Sequence, residues 1–137
     1  MSSTEAAEGL IRSLLEQWAT ATRQGRLDDI LANHLSDVLI FDVLAPLNYE
    51  GAEEYRKSWG DWHPDTQGEG QFGLEQLSIT AGTEIAFAHA FIRCGGTLPD
   101  GSSFEDLVRA TFCLKLLNGS WKIAHQHISK PMQLNSD

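Results

Sequence analysis

A handful of side chains in this sequence could carry acid–base or ligand-binding chemistry. Asp42 lies in the run Val38-Leu-Ile-Phe-Asp-Val-Leu44, where every other residue is apolar. Burial in such a run disfavours the charged carboxylate and raises its pKa. A carboxylate held that way can act as a general base toward a proton next to a carbonyl. The same residue would equally serve as a hydrogen-bonded aspartate closing the turn after its strand. His125 and His127 stand two apart near the end of the chain. On a strand they share a face with Trp121 and Ile123, which is the more apolar and hence the inward face. A His-x-His pair needs at least one further ligand to hold a metal, and the sequence places neither Asp42 nor His89 beside it. Pocket or core histidines are therefore expected, with no metal and no other cofactor.

The remaining candidates would shape a site rather than react. Tyr55, Trp59 and Trp62 offer aromatic area for stacking on a planar ligand, or are simply core. His89 shares one side of its segment with Ile85, Phe87, Phe91 and Arg93. Arg109 and Thr111 leave two readings open. A two-residue Asn118-Gly119 loop pairs Leu116 with Trp121, Phe112 with His125 and Ala110 with His127, which puts Arg109 and Thr111 opposite the histidines. One bulge or a three-residue loop reverses that arrangement. Arg109 is then either a pocket anion anchor or a charged residue on a dimer face.

These residues need elements to hold them. Leu10, Ile11, Leu14, Leu15 and Trp18 recur at helical spacing, Ser2 and Glu5 suit a capping box, and Gly25 ends the segment. Leu27, Ile30, Leu31 and Leu35 predict a second short helix. Val38 to Leu44 reads as a buried strand stopped at Pro46, and Gly51 to Trp59 returns to helical spacing. His63 to Gly73, with Pro64 and three glycines, reads as a loop. Strands are expected at about Gly73–Ala81, Glu84–Cys94, Ser103–Leu117 and Ser120–Ser129. Turns fall at Gly82-Thr83 and Leu98–Gly101, and Asn118-Gly119 is the strongest hairpin signal. Helices, a strand, a helix and then four antiparallel strands predict an α+β fold, with the helices on one face of a strongly curved, mostly antiparallel sheet that encloses a pocket.

At 137 residues one core is affordable, so a single domain over 1–137 is expected. The formal charge of −9 disfavours nucleic acid and anionic membrane surfaces as partners. No apolar run reaches the roughly 20 residues needed to span a bilayer, and no secretory segment opens the chain. Cys94 and Cys113 lack metal-ligand spacing, so free thiols in a cytoplasmic protein are expected.

From Ile11 to Pro131 the sequence resembles the SnoaL-like and ketosteroid-isomerase-like branch of the nuclear-transport-factor-2-like superfamily. The resemblance rests on the Val38–Gly51 strand and turn with Phe41-Asp42, on Val108-Arg-Ala-Thr111, and on Trp121-Lys-Ile-Ala-His-Gln-His-Ile-Ser129. That ending is also similar to the association domain of calcium/calmodulin-dependent kinases. The resemblance implies a conical fold, homodimers, and a pocket for a small apolar or aromatic molecule. It implies no single activity; a cofactor-free isomerase, cyclase or dehydratase and a non-catalytic module all fit. Ketosteroid isomerase uses an Asp base with an oxyanion hole of a Tyr and a protonated Asp. Asp42, nine residues before Gly51, matches its base, with His127, His125 or Arg109 to orient the ligand or bear developing charge. Trp18 occupies the place of the tyrosine and so joins the pocket set. Near Leu107–Arg109, where the second acid belongs, the nearest carboxyl group is Asp106. Steroid isomerisation is therefore not expected.

Overall fold

The computed structural model describes residues 3–61 and 67–134. Helix α1 spans Ser3–Gln24 and buries Ala7, Ile11, Leu14, Leu15, Trp18 and Ala21. Leu10, expected in that stripe, is 62% exposed, so the buried stripe is centred one position round. The helix ends where the Gly25 and Arg26 N–H groups bond the carbonyls of Thr22 and Ala21, as in a Schellman cap. The Ser2 half of the expected capping box lies outside the described residues.

Helix α2 covers only Leu27–Leu31, because Leu35 already belongs to strand β1, His34–Phe41. That strand lies earlier than the apolar run suggested, which leaves Asp42 just past its end. Strand β2, Tyr49–Glu50, was too short to be visible in the sequence and pairs antiparallel with β1. Helix α3 runs Ala52–Asp61. Strand β3, Gln67–Ala81, begins inside the expected loop, since pairing with its neighbour overrides the weak local propensity of its glycines. Strands β4 (Ile85–Thr97), β5 (Ser103–Leu117) and β6 (Ser120–Ser129) complete the sheet.

The six strands lie in the order β2-β1-β6-β5-β4-β3, with β1 parallel to β6 and every other pair antiparallel. The β5–β6 turn has φ 51° at Asn118 and 80° at Gly119, the positive pair of a type I′ hairpin. Two of the sheet's register irregularities each add a single residue to one strand. Gln76 and Leu77 together oppose one residue of β4, and Ala124 is an extra residue in β6 between the pairs Leu114–Ile123 and Cys113–His125. Gly95 permits a close approach of β4 to β5, since a Cβ there would stand 2.2 Å from the Phe104 carbonyl oxygen.

The result is an α+β fold in which a curved, open, mixed sheet packs its inner face on the helices. Trp18 of α1 sets its ring edge-on to Phe72 of β3 and Phe112 of β5, at 5.4 and 5.1 Å between centroids. Ile11, Leu15, Ile30, Val38, Ile40, Ala88, Ile92, Phe112, Leu114 and Ile123 are fully or almost fully buried around it. Burying a large apolar side chain contributes roughly 1.5–3 kcal/mol, so this layer carries most of the stability. Among the described residues, no helix is long and apolar enough to cross a membrane.

Candidate functional site

Val38 and Ile40 alternate into the buried layer, and continuing that alternation carries Asp42 to the same side. Asp42 is half-buried, and its Oδ1 accepts the Val43 backbone N–H at 2.7 Å. Loss of water pushes the carboxyl pKa up, and the Val43 N–H offsets part of that. Phe41 registers with His127. Extending that register past the end of β1 would set Asp42 beside Ile128, at the end of a buried row that continues through Ala110 and Ala90.

The other inner residues fill space. Trp18 is 4% and Tyr55 7% exposed, and Tyr55 meets Tyr49 edge-on at 5.1 Å. Trp59 falls within α3, and nothing further of its side chain is described; Trp62 lies outside the described residues. Deeper on the same face, Gln126 is wholly buried, and its Oε1 lies 3.0 Å from His34 Nε2. Gln126 Nε2 and His34 Nδ1 are both buried without a well-formed hydrogen bond, although the Ile30 carbonyl lies near enough to the imidazole to favour its charged form. Burial outweighs these contacts and pushes the His34 pKa down. This polar pair was hidden in the sequence, because regular pairing puts Gln126 on the outward face.

The Ala124 bulge corrects that assignment, and with it the expected place of the histidines. Trp121 and Ile123 do point inward, but beyond Ala124 the facing reverses, and Gln126 and Ile128 are the buried residues. Phe112 pairs with Gln126 and Ala110 with Ile128, not with His125 and His127. Arg109 and Thr111 now share a face with both histidines, as one bulge would arrange, but that face is the outer one. The pocket reading of Arg109 is corrected in the same way. Its Nε donates to Ser129 Oγ at 3.1 Å on the exposed side.

The outer face thus gathers five of the expected site residues away from Asp42. His89, Thr111 and His127 form one cross-strand row. Phe87, Cys113 and His125 form the row on one side, and Phe91, Arg109 and Ser129 the row on the other. Phe41 sets its ring against His125 and His127 at 4.8 and 5.2 Å, and His125 Nδ1–H donates to the Leu39 carbonyl at 2.7 Å. Among the described residues, no three His, Cys, Asp or Glu side chains lie close enough to hold a metal ion. Two clefts lie elsewhere: about 540 Å³ lined by residues including Glu16, Thr20 and Asn33, and about 360 Å³ lined by residues including Gln71, Phe72 and Arg93.

The residues that would complete an oxyanion site of the ketosteroid-isomerase kind are engaged otherwise. Asp106 bonds Lys130 Nζ at 2.6 Å, and that ammonium, aided by the Leu107 N–H, holds its carboxyl below the usual range. It is an ionised acceptor rather than a protonated donor. Trp18 is enclosed by Phe72 and Phe112.

Comparison with known proteins agrees with this architecture. The SnoaL-like domain family matches residues 11–133. An NTF2-like protein of unknown function from Pseudomonas putida KT2440 is 30% identical, with a TM-score of 0.86 over 98% of this chain and 94% of that one. A candidate dehydratase of the NTF2-like family from Streptomyces avermitilis is 15% identical, with a TM-score of 0.83 over 96% of this chain and all of that one. A ketosteroid isomerase-like protein from Erwinia carotovora atroseptica SCRI1043 is 16% identical, with a TM-score of 0.74 over 91% and 96%. No curated protein matches the chain. The sequence match, the full-length structural likeness and the curved sheet on its helices together show that the chain belongs to the SnoaL-like family of NTF2-like proteins.

Proposed function

We propose that the protein binds a small apolar or aromatic carbonyl compound over the inner face of its sheet, and that Asp42 is the general base toward it. The observation that carries this reading is the half-buried Asp42 carboxyl group, raised in pKa by burial. Raising a carboxylate toward the working pH strengthens it as a base, and an apolar floor suits a flat ligand. The reaction would be cofactor-free proton transfer next to a carbonyl, as in an isomerisation, cyclisation or dehydration. Asp42 takes the proton into its free Oδ2 while the Val43 N–H holds Oδ1 in place. The likeness to a candidate dehydratase and a ketosteroid isomerase-like protein supports that reaction class.

The test uses 2-tetralone as a probe in D2O, with loss of its α-proton signals followed by NMR. Protein-dependent exchange that falls at least tenfold in Asp42→Asn is the expected result. Equal exchange by both proteins would remove Asp42 from the chemistry.

A second reading concerns the outer face. Ile85, Phe87, Phe91 and Leu107 are 60%, 49%, 36% and 42% exposed on a sheet face that no described element covers. We propose that this face joins two copies of the chain, which would make it an assembly surface whether or not the inner face reacts.

A further inference from the structure

We infer that the outer sheet face holds a divalent transition-metal ion of the zinc class, bound by His125 and His127 together with the same two residues of a second copy. The inference rests on reading that face as the contact between two copies, and goes beyond it by assigning a metal site there.

The two imidazoles are already set as ligands. A carbonyl oxygen can only accept, so His125 Nδ1, 2.7 Å from that of Leu39, carries the ring proton. In the neutral ring the lone pair is then on Nε2. A ring N–H donated to a backbone carbonyl is the arrangement that commonly orients a metal-binding histidine. His127 lies two residues on along the same face, is exposed, and registers with Phe41, whose ring packs against both imidazoles. The two ring centres are 6.2 Å apart, and sharing a tetrahedral ion with bonds of about 2.0–2.1 Å needs about 5 Å, so the exposed ring has only about 1 Å to close.

One copy supplies too few ligands. His89 stands across Thr111 from His127, two strand spacings or roughly 10 Å away, and among the described residues no third His, Cys, Asp or Glu comes close enough. Structural zinc sites take four ligands. In a two-fold contact each residue occurs twice, so any axis in the contact plane that passes between His125 and His127 gathers four imidazoles about one point. The pair is well placed for that. Strands β6 and β5 are the two central strands of the six, and His127 registers with Thr111, next to the midpoint of β5.

Size favours a second copy as the occupant, and charge favours a cation between the two. The rows from Ile85 to Arg93 across five strands cover a footprint of about 20 by 27 Å, given strand spacing and rise. Two copies would bury on the order of 1,000 Å² before side-chain relief is counted, which reaches the range of specific interfaces. Each copy carries a formal charge of −9, and the face itself includes Glu75, bound by Arg93, and Glu50, in the row of Leu39 and His125. A dication at the centre offsets the repulsion that two such copies meet.

The experiment measures the mass of the full chain by sedimentation equilibrium at pH 8, first with EDTA and then, after its removal, with Zn2+. Titration calorimetry counts the ions bound. The expected result is a dimer whose Kd falls at least tenfold with Zn2+, at one ion per two chains. H127Q should keep the EDTA Kd within about threefold and lose the zinc effect, while H89Q retains that effect. Co2+ in place of Zn2+ should give the intense visible bands of a tetrahedral ion in the wild type and not in H127Q. A dimer whose Kd ignores Zn2+, an ion bound by each chain without change of mass, or a zinc effect that survives H127Q or disappears in H89Q overturns the metal site and leaves the interface standing. A monomer with and without Zn2+ overturns the interface and the metal site with it.

Discussion

Two titratable residues with perturbed pKa values respond to pH in opposite senses. Burial favours the protonated form of Asp42, so the native state is disfavoured wherever the carboxyl must be ionised. The stability this group contributes is complete below its unfolded pKa of about 3.9 and is lost as pH rises through the higher folded value. Asp42→Asn should therefore raise the urea midpoint at pH 7, with the gain vanishing below about pH 4. His34 is the reverse: its folded pKa is depressed, so its contribution is complete above about pH 6.5 and is lost as pH falls. The urea midpoint should drop between pH 7 and pH 5, and drop less in His34→Gln. Replacing its partner in Gln126→Leu leaves a buried imidazole short of a bond and should cost about 1–3 kcal/mol at pH 7, read from the same urea curves. At this scale the raised pKa of Asp42 was anticipated from its apolar run, although Val43 and Leu44 of that run are exposed. His34 and Gln126 were not, because their meeting depends on strands 92 residues apart.

The elements were legible wherever local chemistry decides them. Asn118-Gly119 announced the β5–β6 hairpin, and the bounds of both strands fall where turn residues and β-branched residues place them. The start of β3 was obscured by glycines, and the start of β1 by Ser36 and Asp37, two adjacent exposed polar residues that break its alternation. No residue type marks Ala124 as a bulge; alanine is ordinary in either conformation, and only the partner strand reveals the extra count. Strand curvature has its own test. Gly95→Ala would drive a methyl group into the Phe104 carbonyl oxygen, so β4 and β5 must part. A loss of about 3 kcal/mol or more in urea unfolding is expected, beyond ordinary overpacking because the obstacle is backbone.

Over the whole molecule, helices before strands were enough to indicate an α+β fold, and the family resemblance matched the sheet that was found. What the sequence could not sort was which side of that sheet each polar residue serves. The structure sets the imidazole, guanidinium and phenyl groups of β4, β5 and β6 on the outer face, so the proposed binding and the proposed assembly would not compete for those side chains. If two copies join as proposed, the global charge of −9 gives their association a salt dependence of definite sign. Raising ionic strength from 50 to 300 mM at pH 8 should tighten the dimer several-fold by sedimentation, since screening weakens repulsion between like-charged copies. Weaker association at higher salt would instead point to contacts made by opposite charges.

The assignment of sides turns on a single residue count. Were the same residues paired regularly, without the bulge, the end of β6 would turn over like a page, setting His125 and His127 on the inner side and Gln126 and Ile128 on the outer. Removing Ala124 altogether would leave plain alternation with the same residues inside, so one extra alanine is what lets this sequence keep its sides.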